Sequence, residues 1–190
     1  KYAYGIVMDV KTGAILAVSD KPDFDLNDPR KLVDSIDKTE LEKYEPGSAE
    51  YNQTFSNLLY EQWSSFCITE TYEPGSTFKL VSLLALTEDC GLPITQQYNA
   101  HESRKVQIGP KGPWIKDDHN IGAMIDMKTA TAQSSNVYFA DAIYQNYKND
   151  PKRYINFLSH LYLDRDLGFT NMEERKALIP HPDKKQGLGR

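Results

Sequence analysis

Apolar positions along the chain first fall in two short runs and later gather into helical stripes. Tyr2 to Val10 and Ala14 to Ser19 are rich in Ile, Val, Tyr and Ala, with Lys11-Thr12-Gly13 between them. Two such runs around a glycine free to take positive φ predict a hairpin. Lys21 to Pro29 carries prolines and Asx residues and reads as loop. From Arg30 to Tyr60 the pattern is mixed and charged, with weak helical periodicity around Lys31 to Ile36 and Glu50 to Tyr60. Both are expected to be surface elements.

The most apolar run comes next: Phe78, Leu80, Val81, Leu83, Leu84, Ala85 and Leu86, directly behind Pro74-Gly75-Ser76. Proline and glycine break whatever arrives from upstream, and Ser76 suits the start of a helix. A helix apolar nearly all round is expected to be buried. Gly91-Leu92-Pro93 should stop it, Arg104 to Ile108 reads as a strand, and Gly109 to Pro113 as a turn. After the short segment Asp126 to Gln133, Ser134-Ser135-Asn136 reads as a loop. Val137, Ala140, Ile143, Tyr144 and Tyr147 then predict an amphipathic helix, and Pro151 to Leu163 another, with Tyr154, Phe157, Leu158 and Leu161 as its stripe. Beyond Gly168 the chain turns polar, and Lys184 to Arg190 reads as loop.

Composition narrows the classes. The 190 residues fit one domain or part of a larger one, and 39% hydrophobic residues with 12 tyrosines can fill a core. A net charge of −5 without a basic cluster argues against nucleic acid as a partner. No apolar run approaches the roughly 20 residues needed to cross a bilayer, and no signal peptide precedes Lys1, so any membrane anchor is expected outside this stretch. Cys67 and Cys90 read as two small core residues rather than a disulfide. The histidines lack metal-ligand spacing, so no metal or other cofactor is expected. Asp117-Asp118-His119 is the one dense polar cluster that includes a histidine, and it reads as loop.

Against this background Lys79 stands out. In the first turn of an apolar helix an ammonium is disfavoured by burial and by the positive end of the helix macrodipole. Ser76 and Lys79, three apart, share one helix face with Cβ atoms roughly 5–6 Å from each other, close enough for the amine to take the hydroxyl proton. Burial and the dipole both push the lysine pKa down, as a general base near neutral pH requires, so the pair forms an activated nucleophile. Two decoys lack this setting. Ser35-Ile36-Asp37-Lys38 has the spacing but sits in a charged segment with no apolar helix behind it. Tyr44-Glu45-Pro46-Gly47-Ser48 repeats Tyr72 to Ser76 but brings no lysine. Ser134 and Asn136 offer short polar side chains that could point into a cleft, although Ser134, Ser135 or Asn136 could equally cap the helix that follows.

Taken together, these stretches resemble the transpeptidase domain of penicillin-binding proteins. Tyr72 to Lys79 looks like that family's nucleophile segment, and Ser134-Ser135-Asn136 like its second motif in the form found in class B members. Gly5 to Asn27, with Asp9, Thr12-Gly13, Ile15-Leu16-Ala17 and Pro22, is similar to the strands and loop that open such domains. The resemblance implies an α+β fold, the α/β sandwich of serine β-lactamases and penicillin-binding transpeptidases. Its central antiparallel sheet would carry helices on both sides and be incomplete in this chain.

It also implies roles. Ser76 would attack a D-alanyl-D-alanine stem peptide, Lys79 would take its proton, Ser134 would relay a proton to the leaving amine, and Asn136 would hold the substrate amide. An acceptor amine would then resolve the acyl-enzyme and cross-link peptidoglycan. Expected partners are stem peptides, β-lactam antibiotics and other cell-wall synthesis or division proteins, at the extracytoplasmic face of a bacterial inner membrane. One departure stands against the pattern. The family's third motif, lysine-threonine-glycine or lysine-serine-glycine, should lie well beyond Asn136, and neither occurs there. Lys11-Thr12-Gly13 lies upstream in a predicted turn, and Lys128-Thr129-Ala130 lacks the glycine. One domain truncated before that motif is therefore expected over residues 1–190, and these residues alone are expected to acylate poorly or not at all. Rival readings are a class D-like serine β-lactamase, against which Asn136 argues, a β-lactam sensor domain, and a non-catalytic scaffold.

Overall fold

The hairpin forms where the apolar runs predict it. In the computed structural model, which describes residues 3–100, 106–107, 114–169 and 173–180, strands β1 (Ala3–Met8) and β2 (Ile15–Lys21) pair antiparallel, from Ala3 opposite Lys21 to Met8 opposite Ile15. The turn is held by Asp9, whose carboxylate accepts the N–H groups of Lys11 at 2.9 Å and Thr12 at 2.8 Å, while Gly13 takes φ 74°. Lys11-Thr12-Gly13 is therefore turn chemistry, as read from the sequence. Tyr2, most of the Arg104 to Ile108 strand, the Gly109 to Pro113 turn and Lys184 to Arg190 lie outside the described residues.

By its internal contacts the chain divides into two compact units, Lys1–Thr71 with Asp166–Arg175, and Tyr72–Arg165 with Lys176–Arg190. In the first, the hairpin meets α2 (Phe66–Thr69), with Tyr4 stacked on Phe66 at 4.4 Å between ring centroids. Its apolar side chains remain open, Val7 at 56% and Leu16 at 66% exposure. Helix α1 (Ala49–Trp63) begins at Ser48, whose hydroxyl accepts the Tyr51 N–H at 3.1 Å, so the repeated Tyr-Glu-Pro-Gly-Ser starts a helix in both places without supplying a base here. Lys31 to Ile36 is not helical, contrary to its weak periodicity. Gln62 of α1 takes over its backbone groups, accepting the Val33 N–H at 2.9 Å and donating to the Pro29 and Lys31 carbonyls. Ser35 is exposed, and Lys38 lies 3.8 Å from Asp34 with no bond to that serine.

In the second unit the central rod is not one regular helix. A 3₁₀ turn (Gly75–Phe78) leads into α3 (Lys79–Leu84), which widens into a π turn (Ala85–Asp89) closed by the Cys90 N–H on the Ala85 carbonyl. Burial on all sides does not hold either. Ala85 and Leu86 are sealed, but Leu80 and Leu84, four apart, stand 57% and 41% exposed. The i, i+4 geometry puts these two on one stripe, and the unit packs only the others.

Short antiparallel pairs follow: β3 (Gln97–Asn99) with β6 (Met124–Asp126), and β4 (Val106–Gln107) with β5 (Trp114–Ile115). The segment left unassigned in the sequence contains α4 (Met127–Ala132), capped by Asp126 accepting the Thr129 N–H at 2.8 Å. Lys128-Thr129-Ala130 is thus helical and cannot line a strand. Helices α5 (Asn136–Tyr147) and α6 (Pro151–His160) form on their predicted stripes, although α6 ends before Leu161.

Two apolar clusters hold this unit. One joins Leu86, Ile125, Met127, Ala130, Val137, Tyr138 and Phe139 among others, and the second joins Ala85, Tyr147, Tyr154 and Leu158. Tyr138 is sealed, and its hydroxyl donates to the Gln96 carbonyl at 2.8 Å. Cys67 and Cys90 are free thiols, half-buried, one in each unit.

Candidate active site

The site is built at the start of the central rod. Gly75 takes φ 58°, a conformation that L side chains resist, and this turns the chain into the 3₁₀ turn carrying Ser76. Lys79 is the first residue of α3, and its own N–H is already bonded to the Ser76 and Thr77 carbonyls. The free N–H groups of the rod therefore precede the lysine. Burial, one of the two causes expected to depress its pKa, acts here. Desolvation lowers the Lys79 pKa from its ordinary value, and the carboxylates of Asp117 and Asp118 oppose this.

Ser134 comes from the other side, between α4 and α5. Helix α4 closes with the Ser134 N–H on the Thr131 carbonyl at 3.2 Å and the Ser135 N–H on Ala130 at 2.9 Å. Closing this way places Ser134 at φ 55°, left-handed for a non-glycine residue, at a cost of about 1–2 kcal/mol. Backbone strain of this kind concentrates at functional sites. The two serines then part company. Ser135 is completely buried and is the N-cap of α5, accepting the Tyr138 N–H at 3.0 Å, whereas Ser134 is exposed and faces the lysine.

These elements bring three of the four sequence-predicted residues together. Lys79 Nζ donates to Ser134 Oγ at 2.9 Å and also to the Ser134 carbonyl, and Ser134 Oγ donates to Ser76 Oγ at 3.0 Å. The direct contact expected between Ser76 and Lys79 is corrected: no hydrogen bond joins them among the described residues, because the Ser134 hydroxyl stands between. The fourth, Asn136, is placed next to this chain but not in it. Its side-chain amide donates to the Lys116 carbonyl at 3.4 Å. Two hydroxyls in line with an amine form a path along which a proton can leave one serine and end on the lysine.

Sequence reasoning missed Asp117, read only as loop. One of its carboxylate oxygens accepts the N–H groups of Asn136 at 2.5 Å and Val137 at 3.1 Å, and the other accepts the Ser135 hydroxyl at 2.8 Å. No periodic pattern announces a contact from a loop 18–20 residues upstream. Its neighbour Asp118 is held by His119 at 2.8 Å. Cavities of about 410 Å³, beside Pro22 and Gln62 in the first unit, and about 360 Å³, beside Tyr144 and Tyr154 in the second, are not lined by Ser76, Lys79 or Ser134. The serines sit on an open face. Among the described residues, no group of three or more His, Cys, Asp or Glu could hold a metal ion.

Comparison with known proteins agrees with this architecture. The penicillin-binding protein transpeptidase domain family matches residues 3–188. Among solved structures, penicillin-binding protein A from M. tuberculosis in its imipenem acyl-enzyme complex superposes with a TM-score of 0.69 at 20% identity, over 97% of this chain and 39% of that one. Its penicillin G acyl-enzyme complex gives 0.68 at 18%, over 94% and 38%. The chain therefore spans about two-fifths of the length of these structures, and at such identity the likeness establishes the fold: helix and sheet combined as in those proteins, with a small sheet. No curated protein matches the sequence.

Proposed function

The chain belongs to the penicillin-binding protein transpeptidase domain family, and from that premise we propose that it carries the nucleophile half of a D,D-transpeptidase site. The observation that supports this reading best is the hydrogen-bonded sequence Ser76, Ser134, Lys79. With Lys79 neutral, the two hydroxyls rotate so that Ser76 donates to Ser134 and Ser134 to the amine. Ser76 Oγ then attacks the carbonyl carbon between the two D-alanines of a stem peptide. The Ser76 proton passes to Ser134, whose own proton passes to Lys79. The backbone N–H of Ser76, ahead of the first hydrogen-bonded turn, would supply one donor to the developing oxyanion.

As the tetrahedral adduct collapses, the C–N bond breaks and the proton returns along the same path, through Ser134, to the leaving D-alanine amine. What remains is an ester on Ser76. An amine from a second stem peptide attacks that ester, restores the serine and forms the cross-link. Asn136 would hold the amide backbone of the bound peptide. β-Lactams would acylate Ser76 through the same first step, without a diffusible leaving group to make way for the acceptor. The site would work at the extracytoplasmic face of a bacterial inner membrane, alongside other wall-synthesis proteins.

Peptide mapping after treatment of the full-length protein with a labelled penicillin tests the reading. A single adduct on Ser76, lost in Ser76→Ala, is expected, together with D-alanine release and a cross-linked product from stem peptides. An adduct on any other residue would overturn the assignment. Rapid turnover of a chromogenic cephalosporin in place of a lasting adduct would point to a β-lactamase instead.

A further inference from the structure

We propose that Asp117 is a positioning residue for acylation: reaching from the segment after β5, its carboxylate clamps the start of α5 and thereby fixes Ser134 between Ser76 and Lys79. This deepens the reading of Ser76 as nucleophile and rests on it. Both carboxylate oxygens are spent on three consecutive residues, Ser135, Asn136 and Val137, immediately after Ser134. Ordinary helix capping does not require this, because Ser135 already serves as the N-cap of α5. What does require it is Ser134 itself. At φ 55° it leaves its conformation readily unless the chain is pinned on both sides. Upstream the pin is α4, through the Ser134 and Ser135 N–H groups. Downstream it is Asp117.

The clamp is also a charge. Among the described residues, the charged groups that bear on Lys79 are Asp117 and Asp118, both of which favour its protonated form, and Asp118 is paired with His119. A neutral clamp of the same shape would leave the geometry intact and let the lysine lose its proton at lower pH. Asparagine at 117 comes nearest to this: its amide oxygen accepts the two backbone N–H groups, and its NH₂ donates to the Ser135 hydroxyl, whose own proton gives up the acceptor it had in Asp117.

Rates of Ser76 labelling by penicillin across pH test the proposal, in the full-length protein and in Asp117→Asn and Asp117→Ala, with thermal unfolding as the check on folding. Asp117→Ala is expected to label up to about a hundredfold more slowly while folded, since small displacements of a positioned group cost that much. Asp117→Asn is expected to keep the plateau rate within a few-fold, with the acid limb of the profile moved to lower pH. The limb reads the charge of Asp117, and the gap in plateau rate between Asp117→Ala and Asp117→Asn reads its clamping, a rescue that loss of charge alone would not give. Asp117→Ala labelling at the wild-type plateau rate, or Asp117→Asn labelling as slowly as Asp117→Ala, would overturn the clamp while leaving Ser76 as nucleophile. Should Asp117→Ala fail to fold, Asp117→Ser, too short to reach all three groups, takes its place in the comparison. A wild-type protein that does not label at Ser76 would remove both.

Discussion

Lys79 donates hydrogen bonds to both the main-chain carbonyl and the hydroxyl of Ser134. The two bonds differ in kind. The bond to the carbonyl can only be donated and holds the amine in place, whereas the one to the hydroxyl can reverse once the amine is neutral. Holding and accepting are thus divided between two atoms of one residue.

Replacement of Lys79 by alanine or by arginine should abolish this division. Alanine removes the acceptor, and arginine keeps the charge but cannot be neutral at any working pH. Both are expected to slow Ser76 acylation by about 10²–10⁴-fold, the contribution typical of a positioned base. Stopped-flow labelling with a fluorescent penicillin measures it. An arginine variant that acylates within a few-fold of wild type would show that the lysine does not act as base.

Burial lowers the Lys79 pKa, and this fixes the direction of two pH dependences. Acylation should fall as pH drops through the folded-state value, below the usual lysine range, because the protonated amine has no lone pair to accept with. Stability runs the same way. Between the lowered folded value and the unfolded one, the unfolded chain holds a proton that the folded chain has lost, so stability rises with pH across that window. Below the window the full penalty of a half-buried ammonium remains. Lys79→Met is therefore expected to unfold at a higher temperature than wild type near neutral pH, with the gap closing as pH rises toward the ordinary lysine value. A gap that widens with pH would show that burial is not the cause.

Much of this was legible in the sequence where a pattern repeats. The hairpin follows from two β-rich runs around Gly13, and α5 and α6 follow from stripes such as Val137, Ile143 and Tyr147, or Tyr154 and Leu158. The meeting of Ser76, Lys79 and Ser134 follows from motifs. What the chain could not announce is what depends on distance in sequence or on competition. Helix α4 is too short, and too rich in threonine, to show a period. The exposure of Leu80 and Leu84 depends on what packs beside the rod rather than on the rod itself. The choice among Ser134, Ser135 and Asn136 as cap was settled by Asp117, which takes the Ser135 hydroxyl and leaves Ser134 free to turn outward.

Ser134 combines a strained backbone with a bridging hydroxyl, and two substitutions separate them. Ser134→Ala removes the bridge and keeps the left-handed cost; Ser134→Gly removes both. Each is expected to slow acylation by roughly 10²-fold or more, because the proton then has no hydroxyl path to the amine. In stability the two should differ, with glycine above alanine by about 1 kcal/mol as the strain is relieved. Urea unfolding alongside penicillin labelling reads both quantities. Equal stabilities would mean that φ 55° costs nothing at this position.

At the far end of the rod, Tyr147 tests whether the fold and the site can be changed separately. It is 3% exposed, and its hydroxyl lies 2.8 Å from the Asp89 carboxylate and 3.2 Å from the Ala85 carbonyl, both in the π turn. Burial pushes its own pKa upward, so the group stays a phenol and a donor throughout. Removing only the hydroxyl, in Tyr147→Phe, leaves neither acceptor alone. Asp89 keeps the Arg153 guanidinium at 2.9 Å, and the Ala85 carbonyl keeps the Cys90 N–H at 3.0 Å. The expected loss is therefore near the lower end for a buried hydrogen bond, about 1 kcal/mol, with no change in the rate of Ser76 acylation. Tyr147→Ala should cost about 3–5 kcal/mol through the cavity left among Ala85, Tyr154 and Leu158. A slowed acylation in folded Tyr147→Phe would mean instead that the π turn transmits its geometry along α3 to Lys79.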